Sequence, residues 1–165
     1  MIKEKLNIGC GWEKKEGFIN LDIASEVKPD LVCDIEKGLP FKDNTFTYIY
    51  SRQCLEHIRP NKWKFVLNEI ARVSKNGCIL ELYLPFDNIF NRCAIDHYRT
   101  FTWGSFGSIY TPKKEFDPTD RFYYSNLSLT PLIKEPHWII KLFYYMFPFV
   151  KTEIYFKFKI MKGRK

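Results

Sequence analysis

Four short apolar runs recur through the first third of the chain: "KLNIG" (5–9), "GFINLDI" (17–23), "DLVCDI" (30–35) and "FTYIYS" (46–51). Their length, near-continuous apolarity and content of β-branched and aromatic residues predict strands buried on both faces, as in a parallel sheet. The period then changes. Across "RPNKWKFVLNEIARVSKNG" (59–77), Trp63, Val66, Leu67, Ile70 and Val73 fall on one helical face. Pro60 suits a first turn and Asn76-Gly77 suits a C-terminal stop, so a helix is predicted over this span. "GCILELYLPF" (77–86) reads as a further buried strand. Strand, helix, strand implies a right-handed parallel crossover and an α/β sheet.

The second half is less regular. Residues 87–121 show no sustained period and read as an irregular insert with one short helix near 101–109. A strand fits 122–130 and a short helix 137–147, halted by Pro148. In "EIYFKFKIM" (153–161), Ile154, Phe156, Phe158 and Ile160 alternate with Lys157 and Lys159. That alternation predicts a strand with one covered and one wet face.

Composition narrows the class without naming a chemistry. The chain has 165 residues, 45% of them apolar and 27% charged, which suits one globular domain better than disorder. No run reaches the roughly 20 apolar residues of a membrane span, and the first residues lack the apolar core of a signal peptide, so a cytoplasmic protein is expected. The five cysteines have no metal-like or disulfide-like spacing, which argues for small buried residues in a reducing compartment. Residues 151–165 hold six basic residues and one acid, +5 of the net +7. Two readings of that tail stay open: contact with nucleic acid or an acidic membrane surface, or a solvated strand edge whose lysines oppose aggregation.

The chemistry lies at three consecutive strand ends. Gly9-Cys10-Gly11 follows the first run, Asp22 closes the second and Asp34 the third. A glycine turn after a first strand lets a ligand approach the backbone, at the edge where open α/β sheets bind ligands. Asp22 is then placed to accept from ribose hydroxyls and Asp34 from an exocyclic amine. Either aspartate alone reads better as a strand-terminal cap or turn residue; the two together, at this spacing from the glycines, favour a nucleoside pocket.

With these residues in place the sequence resembles the class I S-adenosylmethionine-dependent methyltransferases, in particular the methyltransferase 11 group. The resemblance rests on "LNIGCG" (6–11), "NLDI" (20–23), "DLVCDIEKGLPFKDNTFTYIYSRQCLEHI" (30–58) and "LNEIARVSKNGCILEL" (67–82). It implies a Rossmann-like three-layer α/β fold, a mostly parallel sheet with an antiparallel C-terminal strand. Residues 1–165 form a single domain on this reading, with a cofactor-binding half (1–85) and an acceptor-site insert with C-terminal strands (86–165).

The cofactor implied is S-adenosyl-L-methionine, with S-adenosyl-L-homocysteine as product. Gly9 and Gly11 would meet its methionine part, with Cys10 between them. Asp22 would hold the ribose and Ile23 would lie against the adenine. Asp34 and the Ile35 backbone would bond the adenine edge, and Leu39 would cover it. Ser51 and Gln53 would face the transferring methyl group. The sequence departs from the family in one respect: only ten residues separate Gly11 from Asp22, too few for the usual helix plus a strand. The N-terminal half is therefore reduced in helices, and its cleft is more open or is covered by residues 86–120 or by another subunit.

For the methyl acceptor, "YSRQ" (50–53) stands where base-amino methyltransferases of the superfamily carry Asn or Asp with Pro-Pro. That disfavours base-amino chemistry and favours a small-molecule or glycan hydroxyl, for which a base is required. The candidate catalytic residues are His97 and Asp96 in the insert and His57 in "LEHI"; packing roles stay open for the histidines. RNA modification through the basic tail and a catalytically inactive cofactor-binding scaffold are the alternatives. A homodimer through the aromatic segment 138–147 and weak membrane-surface contact are both compatible with the sequence.

Overall fold

The strands are β1 (Lys5–Ile8), β2 (Ile19–Asp22), β3 (Leu31–Val32), β4 (Phe46–Arg52), β5 (Ser74–Pro85), β6 (Leu127–Pro131) and β7 (Glu153–Lys162). They lie in the order β3-β2-β1-β4-β5-β7-β6 in one sheet. β1 to β5 are mutually parallel, and β7 runs antiparallel between β5 and β6. Helix α1 (Trp63–Val73) connects β4 to β5, and a four-residue helix, α2 (Ile89–Arg92), follows β5. The computed structural model describes residues 3–102, 104–106, 127–131, 138 and 153–162.

The stripe Trp63, Val66, Leu67, Ile70 and Val73 is buried as its spacing predicts. It joins one core with Leu6, Ile8, Ile49, Leu80, Leu82, Leu84, Phe156 and Phe158. β7 alternates as expected, with Ile154, Phe156, Phe158 and Ile160 buried and Lys159 exposed. It is an internal strand, however, so its lysines do not guard an edge. Lys157 lies 3.6 Å from Glu81, and Lys162 donates to Asn44 Oδ1 and to the Arg72 carbonyl.

Three sequence expectations are corrected. First, α1 ends at Val73, four residues before Gly77. Asn44 and Thr45 donate their backbone N–H groups to the carbonyls of Arg72 and Val73, and Ser74 Oγ donates to Ile70. The exposed end is thus satisfied early, and Ser74 already pairs with Phe46 in the sheet. Gly77, at φ +84°, sits where the β4–β5 register shifts, so it marks a strand irregularity and no helix stop. Second, among the described residues only one sheet face is covered by a helix. The other carries Tyr48, Tyr50, Tyr83 and Tyr155, half-buried, around Glu81, to which the Tyr48 hydroxyl donates. Tyrosines at strand positions keep a polar end that needs a partner, which an all-apolar reading of the strands overlooks. Third, the short helix of the insert lies at Ile89–Arg92, while 104–106 form a turn. The helix expected over 137–147 lies outside the described residues apart from helical Trp138, as do residues 122–126 of the expected strand.

No helix occupies residues 12–18, and a polar network stands in for it. Asn20 on β2 is buried. Its Oδ1 accepts from Asn7 Nδ2 (3.0 Å) and from the Lys15 amide (2.8 Å). Its Nδ2 donates to the Lys15 carbonyl and to Asp30 Oδ2, both at 3.1 Å. One amide side chain thereby fixes the loop against the sheet, and the Asn20 backbone N–H, which donates to Asp30 Oδ2 at 2.8 Å, pulls the Asp30 carboxyl below its ordinary range with the Asn20 side chain adding to the effect. Asn20→Ala would leave the Lys15 N–H without its acceptor and the Asn7 amide with only a long bond to the Glu13 carbonyl. The expected loss is about 2 kcal/mol, seen as a lowered urea midpoint at unchanged slope.

Candidate active site

The sheet order reverses direction between β1 and β4, and the C-terminal ends of both strands open on one crevice. Open α/β sheets bind ligands at such a switch point. Gly9 continues β1 at φ +68° and Gly11 has φ +48°. A Cβ on Gly9 would stand 2.4 Å from Cys54 Cβ, whereas one on Gly11 would meet nothing within 4 Å. Gly9 thus lets the β1 loop and the segment after β4 touch, and Gly11 keeps the crevice open.

The loop's donors turn inward. Gly9 and Cys10 both donate to the Leu21 carbonyl, at 2.9 and 3.0 Å. Gly11 donates to Asp22 Oδ2 at 2.7 Å, and Ala24 donates to Asp22 Oδ1 at 3.0 Å. The N–H groups of Gly9, Cys10 and Gly11 are therefore used within the fold, and the loop's contribution to a ligand is closeness of approach. Each Asp22 oxygen accepts one of these bonds and retains a lone pair, since a carboxylate has about four. Beside it Ile23 is 67% exposed, an apolar surface at the mouth of the crevice.

At the third strand end, Asp34 caps the 3-10 turn Ile35–Lys37: its Oδ1 accepts from the Glu36 amide at 3.0 Å, and Oδ2 lies 3.2 Å from Lys37 Nζ. Ile35 is buried, and Leu39 belongs to the core with its amide donating to Glu69, so Leu39 offers the crevice little apolar surface. Glu36 reaches Arg59, accepting from its amide at 2.7 Å, and the guanidinium holds the carboxyl below its ordinary range. That pair links the turn after β3 to the one after β4. Ser51 is buried, and Gln53 adopts φ +47°, donating its amide to Tyr83 and its side chain to Glu153 Oε1 at 2.9 Å.

The three catalytic candidates, drawn from two distant segments, meet at one place. Leu55–His57 form a 3-10 turn directly after β4, and the insert folds back on it: Tyr98 donates its amide to the Glu56 carbonyl. His57 Nδ1 lies 3.0 Å from the Asp96 carbonyl and 3.6 Å from its carboxylate. A carbonyl only accepts, so Nδ1 carries the proton and Nε2 of neutral His57 has the free lone pair. The His97 ring stands edge-on to His57, 5.1 Å between centroids. Arg99 stacks over Trp63 at 4.1 Å and anchors the returning chain.

Sequence reasoning passed over the central residue of this cluster, Glu56. It is fully buried, and neither carboxylate oxygen has a hydrogen-bond partner of good geometry among the described residues. Burial pushes its carboxyl up to about 7, and its own backbone amide and the His57 ring offset this only in part. The signal available was a glutamate between the apolar Leu55 and Ile58 in "CLEHI", a position where charge is seldom placed without a role. Cys54, next to it, is pushed up to about 12 by burial, with Glu56 and Asp22 adding to the effect.

The strand order, with one antiparallel strand, is that of the class I methyltransferase fold, and known proteins agree. A family model described as a methyltransferase domain matches residues 13–82. The fold is shared with the YcgJ protein of Bacillus subtilis: 14% identity, 98% of this chain, 92% of that one, TM-score 0.57. It is shared also with a Haemonchus contortus phosphoethanolamine N-methyltransferase bound to phosphomonomethylethanolamine and S-adenosylhomocysteine: 16% identity, 97% of this chain, 48% of that one, TM-score 0.55. The chain has the class I methyltransferase fold, and its residues 13–82 are similar to a methyltransferase domain. An uncharacterised protein of Methanocaldococcus jannaschii is 30% identical over 109 residues, 58% of this chain. The chain spans 47% of that relative's length. No helix among the described residues is long and apolar enough to cross a membrane.

Proposed function

We propose that the chain binds S-adenosylmethionine at the β1–β4 crevice and transfers its methyl group to a hydroxyl of a small-molecule or glycan acceptor. The observation that carries this reading is Asp22: a carboxylate at the switch point, held in place through two backbone amides, with a lone pair left on each oxygen for a ribose diol. Ile23 supplies an apolar face for adenine, and Ser51 and Gln53 stand at the end of β4 for the methionine part. Asp34, turned toward its own 3-10 turn, retains Oδ2 for the adenine amine in exchange for its Lys37 contact.

Held by Asp22 and the β1 loop, S-adenosylmethionine would supply a methyl group activated by its sulfonium, its sulfur leaving as the thioether of S-adenosylhomocysteine, and the acceptor hydroxyl would give up its proton to a base. The protein's task is in-line positioning and proton removal. His57 stands three residues beyond Cys54, whose side chain packs on Gly9, and His97 and Asp96 gather on it, so that basic groups lie next to the crevice. Two of the three lysines of β7, Lys157 and Lys162, are engaged with Glu81, Asn44 and the Arg72 carbonyl, which favours a small acceptor over an RNA held by that strand.

Calorimetric titration with S-adenosylmethionine and S-adenosylhomocysteine tests the reading. Micromolar binding of both is expected; absence of binding at millimolar ligand would remove the cofactor, and binding without turnover across hydroxyl acceptors would leave a cofactor-binding scaffold.

A further inference from the structure

Methyl transfer needs a base, but it does not need a buried carboxylate facing two imidazoles, and the turn after β4 provides one. A ligand atom from each of Glu56, His57 and His97 lies within 4.8 Å of the others. Glu56 is 0% exposed with both oxygens unpartnered, and His97 Nδ1 is likewise buried without a hydrogen bond. His57 Nδ1–H is committed to the Asp96 carbonyl, which leaves the Nε2 lone pair 3.9 Å from Glu56 Oε1. Ligand-type atoms of three residues thus gather where, among the described residues, no donor bonds the Glu56 oxygens or His97 Nδ1. Such an arrangement is costly unless something positive sits between them.

We propose that Glu56, His57 and His97 form a divalent-cation site of the zinc type, whose open positions take an oxygen of the methyl acceptor. Two imidazoles and one carboxylate suit zinc and its neighbours better than magnesium or calcium, and three protein ligands leave the ion open, as in catalytic zinc sites. The His57–Asp96 bond is the outer-shell contact that orients a ligating imidazole. Donors sharing one zinc ion lie about 2.1 Å from it and hence roughly 3.4 to 4.2 Å apart. Rotation of the two rings closes the remaining distance. With the ion present the imidazoles act as ligands, the bound hydroxyl becomes more acidic, and the exposed Asp96 carboxylate remains as proton acceptor. The acceptor role rests on the methyl-transfer reading; the metal site itself does not.

The test uses chelator-stripped protein without S-adenosylmethionine, so its outcome is separate from that of cofactor binding. Titration with zinc chloride should give one equivalent bound. Glu56→Gln and His97→Ala should each weaken uptake by at least about tenfold, the lower bound even for outer-shell partners. Cys93→Ser, removing the exposed thiol, should leave uptake unchanged. Cobalt in place of zinc should give visible d–d absorption without a thiolate charge-transfer band. No uptake, equal uptake by wild type and both variants, or a thiolate band would overturn the site. Glu56→Gln is nearly isosteric, so it decides the matter if circular dichroism shows His97→Ala unfolded.

Discussion

Asp22→Ala is expected to lower S-adenosylmethionine affinity by about 100-fold or more, beyond the range of an ordinary calorimetric titration. A hydrogen bond to a charged group contributes about 1.5 to 3 kcal/mol. Two such bonds to a ribose diol amount to at least a factor of about 100, at 1.4 kcal/mol per tenfold. The same substitution strips Gly11 and Ala24 of their acceptor, so part of the loss would come from the loop. A cofactor analogue lacking both ribose hydroxyls separates the two contributions. If Asp22 holds the ribose, wild type and variant should bind the analogue within a small factor of each other. An equally large loss for both ligands would mean that Asp22 acts only as a loop anchor. Asp22→Asn refines the result: Oδ1 can still accept from Ala24, but the new amide cannot accept from Gly11, so intermediate affinity is expected.

What could be read from the sequence divides along physical lines. Periodicity reports burial against one neighbour, so the α1 stripe and the alternation of β7 were legible residue by residue. Spacing also foretold the missing helix, since the residues between Gly11 and Asp22 had no room for one. It could not foretell what replaced it. The Asn7–Asn20–Asp30 network is made of common polar residues joined only by tertiary contact, and nothing in a linear pattern distinguishes such an asparagine from a solvated one. Leu39 and Asp34 have structural tasks that no family resemblance reveals: Leu39 packs in the core, and Asp34 caps the turn after β3 through Oδ1. The same applies to the basic tail: net charge is a sum, and it hid that Lys157 and Lys162 are partnered within the fold. His57 and His97 were singled out by residue type. Their convergence on Glu56 depends on the insert folding back along the β4 turn, which no spacing rule contains.

Gly9→Ala should be the most damaging substitution in the cofactor loop, and Gly11→Ala provides its control. Both glycines have positive φ, +68° and +48°, so both variants carry a left-handed strain of about 1 to 2 kcal/mol. Only at Gly9 does the new methyl meet other atoms, Cys54 Cβ at 2.4 Å and Sγ at 2.5 Å. Overpacking of this kind adds roughly 1 to 3 kcal/mol, because backbone must move to relieve it. Gly9→Ala is therefore expected to cost about 2 to 5 kcal/mol in a urea titration, against about 1 to 2 for Gly11→Ala. The displaced segment begins the Leu55–His57 turn, so Gly9→Ala should also disturb the cluster around Glu56, a region the Gly11 substitution leaves in place. A second substitution identifies the cause. Cys54→Ala keeps the Cβ responsible for the closest contact and should not rescue Gly9→Ala, whereas Cys54→Gly should recover the clash component and leave only the backbone strain. Equal stability of the two single variants would show that the approach of Gly9 to Cys54 is not what holds the β1 loop against the end of β4.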